Sequence, residues 1–271
     1  MNVKTFIVDA FTRESFKGNP AGVCLLDQPL AEPQMQAIAA ELNLSETAFL
    51  VPMQHQDATY SIRYFTPSVE IAFCGHATLA SAKVVLEKQG LPQVTFVTQE
   101  QLVLSAFSEE DGILMHFPLY PYAALAPLPM LLEALGLSGT YPLHFSEAIQ
   151  MLVLEVPDKE TLLQIKPDFA RLLQLPISVN GLAVTAKSTD PGFDFYSRCF
   201  WPWVGIKEDP VTGSAHSVLA KIWADRLAKT ELVAAQLSAR GGQMQLTITG
   251  PNSLEVRSQA QIVLEGLLTL S

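Results

Sequence analysis

The feature that most constrains this chain is that part of it is written twice. Arg63-Tyr64-Phe65-Thr66-Pro67 reads like Arg198-Cys199-Phe200-Trp201-Pro202, and after a three-residue insertion Gly75-His76-Ala77 falls opposite Gly213-Ser214-Ala215. Both copies then run into a helix containing Ala and Leu. A duplicated stretch implies two halves with equivalent loops, and loops facing one another across a pseudo-dyad would make a cleft, a preferred place for a ligand. At 271 residues the chain is long enough for one large domain or two medium ones. Pro118, Pro121, Pro127 and Pro129 mark the join. The expected domains are therefore 1–118 and 119–271, with a C-terminal strand at about 260–271 able to return to the first.

Within each half, strands and helices follow in irregular order. Strands are expected at 3–12, 23–26, 45–52, 60–65, 94–97, 101–107 and 113–117, then at 149–156, 177–185 and 193–200. Gly18-Asn19-Pro20-Ala21-Gly22 reads as a turn. A helix opens at Pro33 and ends at Asn43, another runs from Gly75 to Lys88 with Gly90 closing it, and a third spans 214–228. Short helices are expected near 130–135 and 159–165. Helices that interrupt strands without regular βαβ alternation give an α+β class.

Charge and composition narrow the partner. The net charge is −10, with no basic run, which disfavours nucleic acid and anionic membranes and leaves a small molecule. Cys24, Cys74 and Cys199 are scattered and odd in number, so neither a disulfide framework nor a zinc knuckle is expected. No signal peptide and no spanning apolar run is visible, which points to the cytoplasm. There is no GxGxxG, P-loop, HExxH or GxSxG, and His55, His76, His116, His144 and His216 show no metal-ligand spacing. No cofactor and no metal are expected.

The chemistry-bearing residues gather at the repeated junctions. Gly75 and Gly213 each stand at a helix N-terminus, where free N–H groups and the helix dipole favour an anion. Each glycine alone reads as a turn residue; at equivalent positions they read as a pair of anion sites. Glu46, ahead of Ala48-Phe49-Leu50-Val51, is either an exposed strand-end carboxylate or one whose pKa burial raises. His76 is either a cap or core histidine, or a neutral imidazole relaying protons. Asp209 is by itself a cap or turn residue. Cys74 and Thr212 precede the two glycines; with only one thiol a two-thiol mechanism is not expected, and Cys74 reads first as a buried small residue.

Together these stretches resemble a known family. Phe16-Lys17-Gly18-Asn19-Pro20-Ala21-Gly22-Val23, Leu44-Ser45-Glu46-Thr47-Ala48-Phe49, Arg63-Tyr64-Phe65-Thr66-Pro67, Cys74-Gly75-His76-Ala77-Thr78-Leu79 and Glu208-Asp209-Pro210-Val211-Thr212-Gly213-Ser214-Ala215 resemble the PhzF-like phenazine-biosynthesis isomerases, relatives of diaminopimelate epimerase and proline racemase. The resemblance implies two pseudo-symmetric domains of diaminopimelate-epimerase type, each a curved, mostly antiparallel sheet around a central helix. It implies a cofactor-independent isomerase, often a homodimer, that shuttles a proton between carbons of a small carboxylate metabolite in a biosynthetic process. Glu46 matches the acid/base, His76 and Asp209 its supporting pair, and Asn19, Gly75, Gly213 and Ser214 the substrate-binding positions. Cys74 and Thr212 stand where the epimerases carry thiols. The rival readings are a Cys74-assisted racemase or epimerase and a non-catalytic binder of metabolites or protein.

Overall fold

The structure is a computed structural model that describes residues 1–54 and 56–270, so His55 lies outside the described residues. The chain divides into two compact units. The first holds Met1–His116 and the C-terminal segment from Val256 onwards, and the second holds Phe117–Glu255.

In the first unit the order is β1 (Asn2–Ala10), β2 (Asn19–Leu25), α1 (Glu32–Leu42), β3 (Glu46–Pro52), β4 (Thr59–Phe65), β5 (Glu70–Ile71), α2 (Gly75–Gln89), β6 (Gln93–Thr98), β7 (Val103–Glu109) and β8 (Gly112–Pro118). The segment Asn19–Gly22, expected as a turn, is the start of β2: it pairs with Ile7–Ala10 of β1. The reversal lies upstream, where Phe16 and Gly18 hold positive φ. A Cβ on Gly18 would stand 2.1 Å from the carbonyl oxygen of Ala10, so the strand can begin only after a glycine.

The sheet of this unit is mixed and mainly antiparallel. β2 and β3 run parallel, as do β4 and β6, and the helical crossovers α1 and α2 join these parallel neighbours. The other ladders, β1–β2, β3–β4, β6–β7 and β7–β8, are antiparallel. Helix α2 touches β1, β2, β3, β6 and β7, so the strands surround it on several sides. Its sequence explains this. Ala77, Thr78, Ala80, Ser81 and Ala82 are all buried and small, which lets the helix lie close to strands, while the Lys83–Glu87 ion pair keeps one edge toward solvent. Gly90 ends it in the left-handed conformation at φ 64°, and Asn43 ends α1 in the same way at φ 49°.

The second unit contains β9 (Ala123–Leu125), α3 (Pro129–Leu135), β10 (Leu143–Ser146), β11 (Met151–Val156), α4 (Lys159–Gln164), α5 (Phe169–Leu172), β12 (Gly181–Lys187), β13 (Phe195–Trp201), β14 (Ile206–Asp209), α6 (Gly213–Leu227), β15 (Glu231–Gln236), β16 (Gly242–Gly250) and β17 (Ser253–Ser258), which straddles the unit boundary. Strand β10 had no counterpart in the sequence-based expectation, and Ile177–Asn180 lies outside β12. Finally β18 (Ala260–Thr269) pairs antiparallel with β1 along the whole of that strand.

The second unit repeats the ladder of the first. β11 lies parallel to β12 and β13 parallel to β15, while β10–β11, β12–β13 and β15–β16 are antiparallel. The repeat reaches single side chains. Arg63 forks onto Glu70 at 2.7 and 2.6 Å and lies over Phe65; Arg198 forks onto Glu208 at 2.8 and 3.0 Å and lies over Phe200. The three-residue insertion follows Pro202, in the stretch that the 3₁₀ turn Pro202–Val204 opens. The architecture is α+β. Among the described residues no helix is long and apolar enough to cross a membrane.

Candidate functional site

The N-terminus of α2 builds the site of the first unit. Cys74, at the N-cap, is extended and offers no side-chain cap, so Gly75 and His76 enter the helix with N–H groups that have no acceptor within the helix. The parallel crossover sets the other wall. Glu46 is the first residue of β3 and sits beside Ala21 of β2. Strand alternation places Asn19, two residues before Ala21, on the same face, and Asn19 is fully buried.

Here Glu46, His76 and Cys74 meet. His76 Nε2 lies 3.1 Å from Glu46 Oε2, and Cys74 Sγ lies 3.3 Å from His76 Nδ1. Ser45 Oγ, a contact the sequence did not single out, approaches His76 Nε2 at 3.3 Å. The Glu46 and His76 side chains are each only 9% exposed, so little water screens the pair.

That burial decides the charges. It pushes the Glu46 carboxyl up, but hydrogen bonding and charge from His76, with help from Ser45 and Cys74, outweigh it and hold the group below its ordinary value. Burial pulls His76 down, yet Cys74 and Glu46 pull harder, and its pKa stands well above that of free imidazole. Burial raises the Cys74 thiol. Two expectations are corrected here. Glu46 is not a carboxyl raised by desolvation, and His76 is not held neutral by the helix dipole. A partner at 3.1 Å in a dry site outweighs both effects.

The second unit gathers Asp209, Thr212, Gly213 and Ser214 at the start of α6. Thr212 donates its hydroxyl to Asp209 Oδ2 at 2.5 Å. Gln236, buried at the end of β15, fixes this loop from behind: its Oε1 accepts from the Thr212 N–H at 2.9 Å, and its Nε2 donates to the Asp209 carbonyl at 2.8 Å. No local signal could have found Gln236, which lies on a strand beyond α6. Ser214 stands half-buried in the first turn, where His76 stands in α2. His216 is fully buried, donates Nδ1 to the Thr212 carbonyl at 2.8 Å and stacks on Phe195. Burial takes its pKa down to about 4.

The duplication also explains why only the first half carries a carboxylate at this strand position. Thr47 pairs with Phe65 and Leu182 with Phe200. Since Phe65 and Phe200 are equivalent, Glu46 corresponds to Gly181. A side chain there would strike the Trp201 indole at 2.6 Å. Trp201 thus fills the space that Glu46 uses in the first unit.

Comparisons with known proteins agree with this architecture. Residues 8–266 match the Phenazine biosynthesis-like protein family. The chain is 44% identical to an uncharacterized isomerase of Pseudomonas aeruginosa, with 100% of both chains covered. A crystal structure of a phenazine biosynthesis protein of the PhzF family from Enterococcus faecalis superposes with a TM-score of 0.91 at 38% identity, again over 100% of each chain. A predicted epimerase from Pseudomonas aeruginosa shares the fold alone, at a TM-score of 0.75 and 21% identity over 99% of this chain and 100% of that one. The chain belongs to the phenazine biosynthesis-like family, whose members include isomerases, and is itself an isomerase-type enzyme.

Proposed function

We propose that the protein isomerises a small carboxylate metabolite by moving one proton between carbons, with Glu46 as acid and base and no cofactor. The observation that carries this reading is the buried Glu46–His76 pair at 3.1 Å. With its pKa held down, Glu46 is a carboxylate at neutral pH, ready to accept a proton from carbon. His76, held as imidazolium, offers positive charge to the enolate that forms. The N–H groups at Gly75 suit the substrate carboxylate; the start of α6 at Gly213 and Ser214 offers groups of the same kind within its own unit. Asn19 lines the site, and the supporting role of Asp209 is carried over from the resemblance alone. The homodimer and the cytoplasmic location implied by the resemblance belong to the same proposal.

The test is deuterium wash-in at carbon, followed by NMR across a panel of small unsaturated and amino carboxylates in D₂O. Glu46→Gln should lower the exchange rate by about 10²–10⁴-fold; exchange at the wild-type rate would sink the assignment. A second reading, thiol-assisted epimerisation, draws on Cys74 Sγ at 3.3 Å from His76 Nδ1. It requires Cys74→Ala to lose exchange as severely as Glu46→Gln does. Exchange that survives in Cys74→Ala leaves Glu46 as the sole base.

A further inference from the structure

Among the described residues, Glu46, Cys74 and His76 form the one group of three His, Cys, Asp or Glu side chains whose donor atoms all lie within 4.8 Å of one another. The three come from two places in the fold. Glu46 opens β3, while Cys74 and His76 flank Gly75 at the start of α2. The Cys-x-His spacing puts a thiol and an imidazole on one turn, and the parallel strand β3 adds the carboxylate.

The distances suit a small divalent ion of borderline softness. His76 Nε2 is 3.1 Å from Glu46 Oε2 and 3.9 Å from Cys74 Sγ. Zinc held at about 2.0–2.1 Å from nitrogen, about 2.3 Å from sulfur and about 2.0–2.2 Å from oxygen needs tetrahedral donors separated by roughly 3.3–3.7 Å. Shifts of a few tenths of an ångström bring both separations into range, and no two of the three donors lie more than 4.8 Å apart. A second observation points the same way: Glu46 Oε2 is buried and faces the His76 ring nitrogen at 3.1 Å, so the carboxylate is already turned toward the other donors. Hard cations are disfavoured by the thiol and imidazole, which select zinc, cobalt or copper over magnesium or calcium.

We propose that Glu46, Cys74 and His76 form a site for Zn²⁺ that takes the catalytic base out of action when filled. The fourth position is left to solvent. Binding displaces two protons, one from the Cys74 thiol and one from the His76 imidazolium, so that a thiolate, a neutral imidazole and a carboxylate neutralise the ion. No oxidant or reductant is involved. Metal binding stands without the catalytic reading; only the loss of turnover rests on it.

The test uses the full chain, stripped with a chelator, and Co²⁺ as the probe. One equivalent of Co²⁺ should produce the near-ultraviolet thiolate-to-cobalt band, and one equivalent of Zn²⁺ should abolish it. Cys74→Ala should remove the band, although Cys24 and Cys199 remain. Glu46→Gln, nearly isosteric, keeps the thiol and imidazole and should weaken Zn²⁺ binding at least 10-fold. Absence of the thiolate band, its persistence in Cys74→Ala, or unchanged Zn²⁺ affinity in Glu46→Gln would each overturn the proposal. The Glu46→Gln titration decides the matter if Cys74→Ala does not fold. None of these measurements uses a substrate, so their failure leaves the isomerase reading untouched. Failed deuterium exchange in turn leaves the metal site untouched.

Discussion

At Glu46 and His76 the protein holds opposite charges together behind little solvent, and stability should follow their titration. His76 has a raised folded pKa, so its contribution is complete below about pH 6.5, the unfolded value. It is lost as the pH climbs through the folded value. Glu46 has a depressed one, so its contribution is present above about pH 4.3 and is lost as pH falls through the folded value. Glu46→Gln should therefore cost most stability between about pH 5 and 6.5 and less toward pH 9. Urea midpoints of both proteins across that range check this, and a cost that does not vary with pH would mean the pair is not charged. His216 behaves in the opposite way. Its folded pKa of about 4 lies below that of an unfolded histidine, so the native state loses stability as pH falls from about 6.5 to 4. The loss is on the order of 3 kcal/mol. His216→Asn, which can still donate to the Thr212 carbonyl, should flatten that acid limb in thermal melts at a series of pH values.

At the scale of elements, the two crossover helices owe their place to what precedes them. Helix α2 starts at an uncapped cysteine, and α6 starts at a threonine tied to Asp209. The second start depends on β15, because Gln236 satisfies both the Thr212 N–H and the Asp209 carbonyl from a strand that comes after the helix. Gln236→Ala should leave these groups without partners at a buried site, at a cost of about 1–3 kcal/mol. Chemical denaturation measures it, and a cost near zero would mean the loop keeps its shape without the clamp. The paired arginines differ in the same spirit. Arg63 donates to the carboxylates of Glu70 and Glu32, whereas Arg198 also donates to the carbonyls of Leu162 and Ile165 at the end of α4.

At the scale of the whole chain, the first unit is closed by the last strand. β18 pairs with every residue of β1, and Lys88 reaches Glu265 from α2. Ending the chain after Ser258 should strip amide-exchange protection from β1 and β2 while the second unit keeps its own, because that unit has its own core around Leu154, Leu182 and Phe200. Equal loss of protection in both units would contradict this. Much of the architecture was legible beforehand: the repeat, the family motifs, the left-handed helix ends at Asn43 and Gly90, and the glycines opening α2 and α6. These signals are local, since backbone freedom, helix ends and apolar spacing act over a few residues. Strand β10, the strand start at Asn19, the Gln236 clamp and the Trp201 that stands in for a second carboxylate were not legible, because each depends on a partner remote in the chain. The charges of Glu46 and His76 were misread for the same reason. The sequence by itself offered Glu46, His76 and Cys74 as candidates. The tertiary structure alone decided their ionisation and the third donor beside them, since burial and contact at 3–4 Å between β3 and α2 exist only once the sheet has closed around the helix.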